Sequence, residues 1–292
     1  MSDVMNRGTG LLIIDVKNSN PNGDPDREND PRVRHDGYGE ISSVSIKRKL
    51  RDLIDAKDSA LWKEIKDELK LDEDDNEFEI LESKKTTRKA ITKMSEDEFL
   101  RKYWDARVFG STFLVKEKEE GTSFINTGVV QFGLGLSLDP IQIERMTTTK
   151  VLAVEEDKDK GMAPLGYRIV SYGVYVMPFF INATAALKTK CTKKDIELLL
   201  KLLPFVYKET ASYIRSEVDI RHAFYVEHLK PRGTYNDFKI IEACTPKRIN
   251  NNHEFVISWK DYDEEELKHS IKQLSEELVG KTNPIIDLVE NL

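Results

Sequence analysis

Residues 9–34 read TGLLIIDVKNSNPNGDPDRENDPRVR. The first eight are short, β-branched and apolar on both faces of an extended chain, which predicts a buried central strand. The next eighteen hold three prolines and four asparagines, with almost nothing to bury. Proline sets φ and Asn-Gly supplies positive φ, so this stretch reads as a rigid turn. A loop of this length in a compact domain is also usually functional or disordered. A cation site fits poorly. Asn18, Asn20, Asn22, Gly23 and Asp24 fall on positions 1, 3, 5, 6 and 7 of a calcium-loop pattern, but position 1 is not an acid, Pro21 interrupts, and Asn29 stands where position 12 needs glutamate. Asp24 and Asp26 could hold a metal for phosphodiester cleavage, yet one such pair is common by chance. No metal or cofactor is expected.

The 292-residue chain has room for one large domain or two small ones. Its 39% apolar and 33% charged residues predict a folded body with long solvated insertions. A net charge of −7 excludes a broad basic surface that coats nucleic acid, while leaving room for a local basic track. Cys191 and Cys244 form neither a disulfide framework nor a zinc pattern, so a reducing cytoplasm is expected. The opening MSDVMNRGTG lacks the layout of a secretory signal, and no apolar run reaches membrane-spanning length, so no membrane partner is expected. The five histidines lack metal-ligand spacing. Walker A, GxGxxG and Gly-x-Ser-x-Gly motifs are absent, and no serine or cysteine has a visible catalytic partner.

Downstream, ISSVSIKRKLRDLI (41–54) spaces Ile46, Leu50, Leu53 and Ile54 as a helix with Ser42 or Ser43 at its N-cap. Residues 55–100 run acidic and then basic, with five basic residues and no acid in 84–93. They read as a helical insertion standing off the core. Residues 124–140 predict a strand punctuated by glycine, 143–168 a protruding hairpin with a polar tip, and 168–186 a strong strand. The segment 192–214 predicts a helix capped by Thr192 and Asp195 and broken at Pro204. AFYVEHL (223–229) and HEFVISW (253–259) read as strands, and Leu267, Ile271, Leu274 and Leu278 as one face of a last helix. This order predicts an α+β fold: a ferredoxin-like β-α-β-β-α-β core with two insertions, and helices on one face of a mostly antiparallel sheet.

Ser43, Lys47 and Arg51 share one face of the first helix, Arg48 flanks them, and no acid lies between Ile41 and Arg51. A helix N-terminus with free N–H groups and nearby cations is a ready phosphate site. An ordinary solvated amphipathic helix would show the same spacing.

The motif NPNGDPDxxNxPR at 20–32, followed by ISSVSIKRKLR at 41–51, resembles the Cas seven family, the backbone subunit of type I CRISPR Cascade complexes; the I-C and I-B lineages match best. YWDARVFG (103–110) and VVQFGLGLSLDPIQIERMTTT (129–149) are similar to the family's next segments, so the resemblance runs in order over most of 10–230. It implies an RNA-recognition-like palm (1–54, 101–142 and 169–292), helical fingers (55–100) and a thumb hairpin (143–168). It further implies that the chain binds CRISPR RNA through phosphates and sugars, leaving base edges free to pair with a target DNA strand. Copies would stack head to tail beside other Cascade subunits, and a separate helicase-nuclease would cut. The implied RNA contacts are Asn18, Asn20, Asn22, Ser42, Ser43, Lys47, Arg48, Arg51 and Arg107, with Arg145, Met146, Thr147, Thr148, Thr149 and Met162 in the thumb. Met146 or Met162 would wedge between bases. The chain would not itself be catalytic. The alternative is a metal-dependent ribonuclease of the type III kind using Asp24, Asp26 or Asp36.

Overall fold

A computed structural model of the chain describes residues 5–73, 76–83, 91, 93–114, 123–151, 162–249 and 254–290. Strand β1 (Gly8–Ser19) leads through β2 (Gly23–Asp24) and β3 (Asp30–Pro31) to β4 (Tyr38–Ile41) and helix α1 (Ser43–Asp55). Helices α2 (Ala60–Leu69), α3 (Glu96–Lys102) and α4 (Trp104–Phe109) follow. Next come β5 (Gly110–Leu114), β6 (Ser123–Thr127), β7 (Val130–Phe132), β8 (Gly135–Pro140), β9 (Ile143–Val151) and β10 (Met162–Ile181). The remainder is α5 (Ala183–Thr189), α6 (Lys193–Leu202), β11 (Val218–Glu227), α7 (Asp237–Ala243), α8 (Glu264–Leu278) and β12 (Ile286–Asp287).

The main sheet runs β12-β11-β1-β10-β8-β4, with β7 and β9 also pairing β10, and its ladders are antiparallel. The order β11-β1-β10-β8, with α1 after β1 and α6 after β10, is the expected ferredoxin-like core. Leu12, Ile14 and Val16 of β1 meet Ile46, Leu50 and Ile54 of α1 and Ile196, Leu199 and Leu202 of α6. Leu11 and Ile13, on the other face, meet Ile240 of α7 and Leu274 and Leu278 of α8. Helices therefore cover both faces, not one. A strand that alternates between two apolar faces needs both covered.

Two other expectations change. The described part of 55–100 packs on the core: Trp62, Ile65, Phe78 and Ile80 are buried in it, and Lys201 of α6 reaches Glu68 at 2.6 Å. The basic run at 84–90 lies outside the described residues. HEFVISW is not a strand over its described residues. The Asp261 carboxylate accepts the Ile257 and Ser258 N–H groups at 2.8 and 3.1 Å, a local arrangement that replaces a sheet ladder. Pro204 acts as predicted, since α6 stops at Leu202 and a 3-10 turn takes Leu203–Phe205.

Strand β10 does two jobs. Its residues 170–181 pair with β1, and its residues 162–170 pair with β9 to form the expected hairpin. One uninterrupted strand thus carries the hairpin on the central sheet. The expected loop tip at 155–161 lies outside the described residues.

Arg107 corrects a site expectation. It has no exposure and directs its donors at the Asp195 carboxylate (2.8–3.2 Å) and the Leu100, Arg101 and Glu77 carbonyls (2.7–3.0 Å). A guanidinium occupied in this way cannot meet a phosphate. It joins α4 to α6, where Asp195 also closes the capping box with Thr192. Breaking a buried ion pair from one side leaves an uncompensated charge. Asp195→Ala should lower unfolding free energy by about 3–5 kcal/mol in urea titrations, and Arg107→Met/Asp195→Leu should recover part of the loss.

Candidate nucleic-acid interface

The asparagine-rich loop owes its shape to its own side chains. Asn18 takes the left-handed conformation at φ 44°, which asparagine tolerates better than most residues, and is exposed. Asn20 is buried: its amide donates to the Asn29 carbonyl at 2.7 Å, and its carbonyl accepts Arg215 at 3.0 Å. Asn22 accepts the Ser42 N–H on Oδ1 at 2.7 Å and donates to the Gly23 carbonyl at 3.1 Å. Ser42 in turn caps α1 by accepting the Ser45 N–H at 3.3 Å. Asn20 and Asn22 therefore hold the loop against the start of α1, and Asn18 alone of the three is exposed. Asp24 caps a 3-10 turn by accepting the Asp26 N–H at 3.2 Å.

Helix α1 divides its cations. Lys47 is half-buried with its ammonium 5.3 Å from the Phe109 ring centre; burial and then the nearby Arg51 charge lower its pKa. Arg48 is exposed, bonded to Asp52 at 2.9 Å and to the Glu82 carbonyl at 3.1 Å. Arg51 is buried, with Asp105 at 2.8 Å and Glu82 at 3.1 Å. It is committed to those carboxylates, so the three-cation stripe reduces to Lys47 with Arg48 beside it. Ser43 is half-buried in the first turn. A cleft of about 430 Å³ opens beside Lys47, lined by Val44, Phe109, Gly110, Gly128 and Gln131. Gly110 sits there at φ 85°, which a side chain would resist.

On the hairpin, Arg145 and Met146 are exposed, and Met146 pairs in register with Tyr167. Thr147 pairs with Gly166, Thr148 with Leu165, Thr149 with Pro164 and Met162 with Val151. Tyr167 packs edge-on against Tyr213 at 5.5 Å, and Tyr213 is 66% exposed. Arg168 forms an ion pair with Asp30 of the loop. Three segments far apart in sequence are thus chained together: hairpin to loop by Arg168–Asp30, and loop to helix by Asn22–Ser42. Nothing in the sequence marks Tyr167, Arg168 or Tyr213, and Tyr213 reads there as the end of a broken helix. Only the fold puts it opposite the hairpin.

Asp24, Asp26 and Asp36 do not converge as ligands. Among the described residues, the group close enough to share one ion is His222, Asp287 and Glu290, at the β11–β12 edge.

The family described as CRISPR-associated protein Cas7 matches residues 6–267. The chain belongs to the Cas7 family. A Cas7 protein of Haloferax volcanii is 27% identical over 259 residues, covering 80% of this chain and 73% of that protein. A chain of a solved structure titled "CRISPR RNA-guided surveillance complex, pre-nicking" has a similar fold, at a TM-score of 0.51 and 13% identity over 92% of this chain and 89% of that one. Another, titled "CRISPR RNA-guided surveillance complex", gives 0.49 and 14% over 92% and 84%. No helix among the described residues of this Cas7 chain is long and apolar enough to cross a membrane.

Lys49, on the inner side of α1, is nearly buried, with Thr210 Oγ1 at 2.7 Å and the Tyr207 ring centre at 4.9 Å. Burial, and then the Arg215 charge, push its pKa down to about 8. Above that pH the folded chain has released a proton that the unfolded chain still holds, so stability from this group rises until the ordinary lysine range is reached. The stability of the native chain relative to Lys49→Met should therefore increase from about pH 8 to about pH 10 in parallel urea titrations.

Proposed function

We propose that this Cas7-family chain is a non-catalytic backbone subunit of a type I CRISPR surveillance complex. It binds CRISPR RNA through phosphates and sugars, whatever the guide sequence, and leaves the base edges free for a target DNA strand. The observation that carries this reading is the chained arrangement of loop, α1 start and hairpin. The loop is held rigid before any ligand arrives, which lowers the ordering cost of binding. The start of α1 offers N–H groups and a positive dipole end to phosphate, with Lys47 and Arg48 one turn along. Neither group reads a base edge, so the contact is indifferent to sequence.

On this reading the main sheet is the palm, 55–100 the fingers and 143–168 the thumb. The thumb presents Arg145 to phosphate and Met146, 41% exposed, as a wedge between neighbouring bases. Copies stack head to tail along the RNA with other Cascade subunits, and a recruited helicase-nuclease does the cutting. The titles of the two fold neighbours, which describe RNA-guided surveillance complexes, support this assignment.

Filter binding of the purified chain to single-stranded RNAs of unrelated sequence, over a salt series, tests the proposal. Binding should be tight at low salt and fall steeply as salt rises. Lys47→Ala/Arg48→Ala should weaken it about tenfold and flatten the slope by about 0.7 for each cation removed from a phosphate. Arg51 is left intact, because its removal would strand Asp105. RNA length is followed in the same tubes with and without magnesium. Absence of binding would reject the proposal. Magnesium-dependent cleavage that disappears in Asp24→Ala or Asp26→Ala would establish the type III ribonuclease instead.

A further inference from the structure

The largest cleft in the described structure, about 840 Å³, lies on the opposite face of the sheet from α1, where β1 ends. Its lining joins the last turns of β1 (Asp15, Lys17) to β11 (Arg221) and to the segment holding Ile257, Trp259 and Lys260. Two cations in it are already used. Arg221 donates to Asp15 at 2.9 Å and lies 4.6 Å from the Trp259 ring centre, and Lys208 meets Asp219 at 3.4 Å. Lys17 and Lys260 are exposed and enter no ion pair among the described residues. Outside the pairs, the lining therefore carries two lysines against one acid, Glu217.

Three features narrow the ligand. Free lysines facing one cleft suit an anion and oppose a metal or a cationic group. Ile257, 64% exposed, beside the Arg221–Trp259 stack offers a flat apolar surface for which an inorganic anion has no use. The Tyr207 hydroxyl, buried in the wall, has no hydrogen-bond partner in the structure. Apolar and aromatic surface flanked by lysines is the composition that holds single-stranded nucleic acid, with a base on the apolar surface and phosphates on the cations. The position agrees, since Lys17 directly precedes Asn18 and the cleft opens where the asparagine-rich loop departs.

We propose that this cleft is a second nucleic-acid subsite, one that takes a short single-stranded segment, with Lys17 and Lys260 on its phosphates and a base against Ile257 and Trp259. It rests on the nucleic-acid reading above but uses none of the residues of the α1 side. The two sites lie on opposite faces of one sheet, so a strand leaving the first can reach the second by passing the end of β1.

The test is photo-crosslinking of the full chain to single-stranded oligonucleotides carrying 5-iodouridine, with the linked peptides read by mass spectrometry, beside salt-series binding of Lys17→Glu/Lys260→Glu. Crosslinks should fall within 257–260, and affinity should drop severalfold with a salt slope flatter by about 0.7 for each lysine. The variant changes two exposed side chains, so its thermal midpoint should match the parent. Unchanged affinity and slope, with crosslinks only on α1 and the hairpin, would overturn the subsite and leave the proposed function standing. Loss of binding in Lys47→Ala/Arg48→Ala alone would overturn it in the same way. No binding by the parent chain would remove both. Protein–protein crosslinks from Lys17 or Lys260 to a second copy, in place of nucleic acid, would also overturn it.

Discussion

Strand β1 has no polar face, and most of the architecture follows from that constraint. Leu12, Ile14 and Val16 must be covered on one side, Leu11 and Ile13 on the other. Burying an aliphatic side chain is worth about 1.5–3 kcal/mol, so neither set can be left to water. The first is met by α1 and α6, which are elements of the ferredoxin-like core. The second is met by α7 and α8, from the last quarter of the chain. The strand cannot run on indefinitely in such surroundings, and it stops where polar residues begin. The loop that follows emerges at the edge of a fully packed sheet, which gives it a rigid base.

The loop is rigid for a second reason. Its asparagines are placed as structural hydrogen-bonding groups. Asn20 joins it to the segment before β11, and Asn22 to the first N–H of the capping Ser42. The same residues that looked like ligand contacts do their work inside the protein. The surface available to a ligand is then backbone, Asn18 and the neighbouring start of α1. Phosphate recognition by helix ends and backbone groups needs this kind of fixed geometry more than it needs many cations. That is how a chain with a net charge of −7 can still present a nucleic-acid track.

The charged residues of α1 and α4 divide on the same principle. Arg51 and Arg107 lie in motif-like stretches, yet both are buried against Asp105 and Asp195. Buried pairs of this kind tie helices together where apolar packing alone would allow them to slide. Lys47 and Arg48, one turn and one residue from Arg51, remain near the surface. Helical periodicity places these residues around the axis but does not say which direction faces a carboxylate on another helix. Asp105 and Asp195 are 54 and 88 residues from their partners, beyond what local spacing can show.

The core order, the helix caps at Ser42 and Thr192, the break at Pro204 and the register-free outline of the hairpin were legible in the amino-acid sequence, because each depends on contacts between near neighbours or on alternation along one element. The motifs at 20–32, 41–51, 103–110 and 129–149 also sufficed to indicate the family. Tertiary structure alone decided the second layer of helices, the loss of the strand at 253–259, and the burial of Arg51 and Arg107. It alone brought Tyr167 to Tyr213 and Lys17 to Trp259. These outcomes rest on pairs of residues that meet only after the chain has closed on itself, where burial, charge and hydrogen bonding are set by the partner and not by the sequence around it.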